Sequence, residues 1–80
     1  MVEVFIKKYW DEENVMFFIH FQEGKAMRQV EINPTSKLLL TAECPMKGDS
    51  MLYDQSLDEL ELQESDFITQ EEFELIWEEK

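Results

Sequence analysis

Eighty residues make one small domain, and 19 Asp and Glu against 7 Lys and Arg leave a net charge of −12 with the one histidine neutral. That balance excludes the basic surface that nucleic-acid binding needs and disfavours an anionic bilayer, so neither direct nucleic acid nor a membrane is an expected partner. A hydrophobic fraction of 44% with ten Phe, Trp and Tyr gives the chain material for a core, which argues against disorder.

Val2 to Trp10 alternates, with Val2, Val4, Ile6 and Trp10 on one face and Glu3, Phe5, Lys7 and Tyr9 on the other; period two with β-branched and aromatic residues predicts a strand. Asp11-Glu12-Glu13-Asn14 reads as a turn, because Asp and Asn bond their own backbone. Val15 to Phe21 is a second strand, Gln22-Glu23-Gly24-Lys25 a second turn, and Met27 to Ile32 a third strand with Arg28, Val30 and Ile32 sharing a face. Pro34, within Asn33-Pro34-Thr35-Ser36, ends that strand because it has no donor for the ladder. Lys37 to Glu43 is a fourth strand, and the short connections predict an antiparallel meander over residues 1–43.

Residues 44–56 hold breakers at both ends and read as a loop, from which Met51-Leu52-Tyr53 forms a short strand or tucks into the core. Ser56 is placed to cap a brief helical turn, Leu57 to Leu60. Residues 57–80 form an acidic segment with a C-terminal helix. Thr69 and Glu72 make a capping box, Ile68 and Phe73 a hydrophobic staple, and Phe73, Ile76 and Trp77 a buried stripe at i, i+3, i+4. The expected fold is α+β: a four-stranded antiparallel meander with the helix packed on one face. The face carrying Val2, Val4, Ile6, Val15, Phe17, Ile19 and Phe21 is the better core. The opposite face, with Phe5, Tyr9, Met16, Phe18 and His20, is expected to be covered by the 44–56 loop or by a partner.

Charge is divided unevenly. Residues 1–40 carry six acids and five bases, whereas residues 41–80 carry thirteen acids and only Lys47 and Lys80 as bases. Glu78 and Glu79 meet the negative end of the helix dipole, and Glu74 and Glu78 form a like-charge i, i+4 pair, so this charge is not arranged for the helix's own stability. At about 1.5 Å rise per residue, the five glutamates from Glu71 to Glu79 fall roughly 3 Å apart, close to the ~3.4 Å charge spacing of one DNA strand.

No catalytic chemistry is expected. His20 lies mid-strand with no nucleophile placed beside it by sequence spacing, and Cys44 has no partner cysteine. One Cys and one His do not make a zinc site, and Asp49, Asp54 and Asp58 do not match a calcium loop, so neither metal nor cofactor is anticipated. The N-terminal stretch lacks the signal-peptide pattern and no apolar run approaches the roughly 20 residues of a spanning helix, so the expectation is a cytoplasmic protein.

Arg28-Gln29-Val30-Glu31-Ile32, Ser56-Leu57-Asp58-Glu59-Leu60 and Phe67-Ile68-Thr69-Gln70-Glu71-Glu72-Phe73-Glu74-Leu75-Ile76-Trp77 together resemble a family of small acidic bacterial single-domain proteins of uncharacterised function. That family is similar to compact proteins encoded near bacterial toxins, and the resemblance implies an immunity role. The likeness spans roughly residues 15–79 and departs at Asn33-Pro34-Thr35-Ser36 and in the shorter 44–56 region.

Charge and resemblance together predict a binding protein that occludes the basic active cleft of a toxin. The expected contact residues are Asp54, Asp58, Glu59, Glu61, Glu64, Glu71, Glu74 and Glu78, with Tyr53, Tyr9 and Trp10 as aromatic anchors. There are two alternatives, of which only the first uses the same acids. One is a phage-type nucleic-acid mimic acting on a host nuclease or defence complex. The other is a structural homodimer pairing through Phe5, Phe18 and Tyr9.

Overall fold

The computed structural model describes residues 2–44, 46, 47, 50–53, 57 and 62–78. Four long elements follow the predicted order: β1 (Glu3–Trp10), β2 (Val15–Gln22), β3 (Lys25–Ile32) and β4 (Lys37–Thr41). A hairpin of β5 (Met46–Lys47) and β6 (Ser50–Met51) follows, then a 3-10 turn at Glu64–Asp66, β7 (Phe67–Ile68) and α1 (Gln70–Glu78). The main sheet has the order β4-β3-β2-β1-β7. The meander is therefore as expected, with a fifth strand added on the β1 edge and a two-stranded hairpin within the predicted loop. The capping turn expected from Ser56 to Leu60 lies, apart from Leu57, outside the described residues.

Turn chemistry sets the registers. β1 and β2 pair from Glu3↔Gln22 to Trp10↔Val15 across a four-residue turn in which Asn14 takes φ 54°. Glu23 and Gly24, at φ 53° and 82°, form the two-residue connection that matches the twist of a hairpin. A Cβ on Gly24 meets nothing within 4 Å, so only the backbone resists one there. Gly24→Ala is accordingly expected to lower unfolding free energy by about 1 kcal/mol without altering the β2–β3 register, as read by urea titration and amide chemical shifts. At the third turn Asn33 Oδ1 accepts from the backbone N–H groups of Thr35 (2.9 Å) and Ser36 (2.8 Å), replacing the ladder bonds that Pro34 interrupts.

Between His20 and Phe21 the register slips: their partners on β3 are Arg28 and Ala26, so Met27 is an extra residue. This bulge decides which way Arg28 points. Continued without it, the Glu23-Gly24 turn pairs His20 with Met27 and sends Arg28 to the other face.

Both sheet faces are covered, and the coverings are exchanged relative to expectation. Ile6, Ile19, Phe21, Ala26 and Leu40 are buried together with Leu52, and Tyr53, Leu57 and Leu62 pack against them. The segment after β4, not the helix, therefore lies on this face. The helix lies on the opposite face, where Phe5, Val30 and Phe73 are buried with Phe18, Ile32, Leu39, Ile76 and Trp77 around them. The pairing of Phe5 and Ile6 with Ile68 and Phe67 carries the chain along the β1 edge, and α1 then lands on the Phe5 face. Thr69 supplies its half of the expected capping box, its Oγ1 accepting from the Glu72 N–H at 3.1 Å, and Ile68 packs in the same cluster as Phe73.

Lys37 supplies what α1 lacks. The helix has no basic residue in its last turn. The Lys37 ammonium, from the start of β4, donates to the Ile76 carbonyl and so meets the negative end of the helix.

Candidate functional site

The predicted contact residues fall into three groups. Asp54, Asp58, Glu59 and Glu61 lie outside the described residues. Glu64, Glu71 and Glu78 are exposed, Glu64 in the 3-10 turn on the β1 edge and the other two on α1. Glu74 is different: it is half-buried, and its Oε1 accepts from Arg28 Nη1 at 2.6 Å.

The aromatic candidates do not converge. Tyr53 packs edge-on against Phe21 at 5.9 Å, and its N–H donates to Gln29 Oε1 at 2.9 Å, which makes it part of the covering of the Ile6 face. Tyr9 and Trp10 are 51% and 46% exposed. As consecutive strand residues they point to opposite faces. Trp10 leans on Phe17, and the Tyr9 hydroxyl donates to Asn14 Oδ1. Of the three residues named for a homodimer, Phe5 is buried and Phe18 packs in the same cluster beneath α1, while Tyr9 stays at the surface.

On the outer side of α1, Leu75 is 66% exposed. Glu71, Glu72 and Glu78 are exposed too. Positions 71, 72, 75 and 78 share one helical face, so three carboxylates rim an apolar centre. Asp66, nearer the sheet, is committed internally: its carboxylate accepts from the Gln63 N–H at 3.0 Å and from Lys8 Nζ at 3.4 Å. The Gln63 bond, and then Lys8, hold the Asp66 carboxyl below its ordinary pKa.

A second constellation, which sequence reasoning missed, lies under α1. His20 is 6% exposed and stacks on Phe5 with ring centroids 4.4 Å apart and planes 8° from parallel. Arg28 Nε donates to His20 Nδ1 at 3.0 Å, and His20 Nε2 lies 3.1 Å from Glu3 Oε1. A carboxylate only accepts, so Nε2 carries the ring proton and the imidazole is neutral. The guanidinium carbon sits 5.0 Å above the Phe73 ring and 5.2 Å above that of Trp77. The chain Glu3–His20–Arg28–Glu74 thus links β1, β2, β3 and α1, beside an open groove of about 380 Å³ that His20, Arg28, Thr41 and Glu43 help to line. With its one lone pair already given to Arg28, the His20 ring has no free base nitrogen.

Among the described residues no group of three or more His, Cys, Asp or Glu converges as metal ligands, and no helix is long and apolar enough to cross a membrane. No family model, curated protein or solved structure matches the chain. The fold and site define a small α+β protein whose helix is bound to the sheet through an arginine and faces outward with carboxylates.

Proposed function

We propose that this chain is an acidic inhibitor, an immunity protein that neutralises a bacterial toxin by filling its basic active cleft. The observation that carries the reading is the sorting of carboxylates on α1. Glu74 turns inward to Arg28. Glu71, Glu72 and Glu78 stay exposed around Leu75, on a helix with no basic residue in its last turn. A carboxylate rim steers encounter with an oppositely charged partner, and the apolar centre adds surface that the contact can bury. A basic cleft that normally receives phosphates is complementary to such a rim.

Capture from source-cell lysate on the immobilised protein, washed at stepped ionic strength, tests this reading. The wild type is expected to retain a basic enzyme that elutes as salt rises and whose activity the free protein inhibits. The triple substitution Glu71→Lys, Glu72→Lys, Glu78→Lys is expected to abolish that retention. Equal retention by both proteins with unchanged salt dependence rules out this face as the contact.

A further inference from the structure

We propose that His20 is a proton-operated release for helix α1: protonation of the buried imidazole expels Arg28, and α1 loosens from the sheet. The device works within the free protein and stands whether or not α1 meets a partner.

The geometry leaves little room for a second ring proton. Nδ1 accepts from Arg28 Nε at 3.0 Å, and Arg28 cannot surrender its proton. Protonated His20 would set two N–H donors and two cations face to face at that distance. Two carboxylates bear on the outcome, Glu3 from β1 and Glu74 from α1, and both favour a charged ring. Arg28 from β3 opposes it, and Glu43, beyond β4, lines the adjoining groove. Burial is the largest influence and Arg28 the next, so the imidazole protonates below its ordinary pH range.

Once expelled, Arg28 loses the Glu74 contact at 2.6 Å and its seat over Phe73 and Trp77. These join α1 to β3. The helix has nine residues, and helices shorter than about 12 residues do not persist in water without packing. Loosening is therefore expected to begin at α1 while the sheet holds.

The sign follows from proton linkage. In the unfolded chain His20 protonates near its ordinary pKa of 6.5, while in the folded chain it resists. The unfolded state then binds more protons just below that pH, so the stability held above it is lost as pH falls. General relief of the −12 charge works the other way, because protonating carboxylates reduces self-repulsion. Keeping above about pH 5 leaves most carboxylates ionised and separates the two effects.

His20 is the sole histidine, so its imidazole resonances report one site. The test follows those resonances and amide hydrogen exchange of the full chain from pH 8 to pH 5 at fixed ionic strength, with exchange corrected for its intrinsic pH dependence. The expected result is a neutral Nε2–H tautomer at pH 7 and a ring titration below the ordinary range. Exchange from Phe73 to Trp77 should become several-fold faster over the same interval, while the β1–β2 amides hold. His20→Gln, which keeps a neutral hydrogen-bonding side chain, is expected to flatten the α1 response. If that variant does not fold, the coincidence of ring titration and α1 exchange in the wild type decides. A ring titrating at the ordinary value, an α1 indifferent to its titration, or exchange rising equally in sheet and helix would each overturn the proposal.

Discussion

Phe73→Ala is expected to remove about 3–5 kcal/mol of unfolding free energy and to leave the protein largely unfolded, or with α1 undocked, at 25 °C. Phe73 is fully buried and its ring meets three others between sheet and helix. Its ring lies 5.5 Å from Phe5, 5.9 Å from His20 and 6.0 Å from Trp77. Truncation opens a cavity between sheet and helix and removes one of the two rings beneath Arg28. A domain near 80 residues typically has only about 5 kcal/mol to lose. Urea titration followed by far-ultraviolet circular dichroism and tryptophan fluorescence checks the result. A variant within about 1 kcal/mol of wild type would show that α1 is not docked as described.

Arg28→Met is expected to cost about 2–4 kcal/mol, although it keeps an apolar stem of similar length. The loss has three parts: a buried His20 Nδ1 left without its donor, a Glu74 carboxylate without its cation, and two aromatic rings without a cation above them. The Glu74 part is the smallest, because that side chain is 38% exposed and water screens the pair. Glu74→Gln alone is therefore expected to cost about 1 kcal/mol or less. Arg28→Lys should recover only part of the loss, since one ammonium does not serve His20 and Glu74 in the forked geometry of guanidinium. Chemical denaturation of the three variants separates these parts. Equal costs for Arg28→Met and Glu74→Gln would mean that the histidine bond and the ring seat contribute nothing measurable.

The difference between what was legible and what was not is clearest at the covering of the sheet. Periodicity identified the stripe Phe73, Ile76 and Trp77, and all three do pack on the sheet. It could not choose the face, because both faces are apolar and either accepts an aromatic stripe. That choice falls to β7, whose two residues pair with Phe5 and Ile6 and carry the chain past the β1 edge. Two residues are too short for periodicity to mark.

The Glu3–His20–Arg28–Glu74 chain divides the same way. The four-residue turn between Trp10 and Val15 places Phe5 opposite His20, and Glu3 lies one step along the same face; that much follows from counting. Placing Arg28 opposite His20 requires the extra residue at Met27, and bringing Glu74 to Arg28 requires the helix.

From its sequence alone this protein determined four strands, their turns, a capped C-terminal helix and an excess of carboxylate in its second half, because backbone dihedrals, capping and alternation are local properties. Only the tertiary structure decided which face α1 covers, that Lys37 meets the helix end, and which glutamates are spent inside and which face water. Those outcomes depend on a one-residue bulge and a two-residue edge strand. Each switches side chains between faces at a small local cost and leaves no periodic trace in the chain.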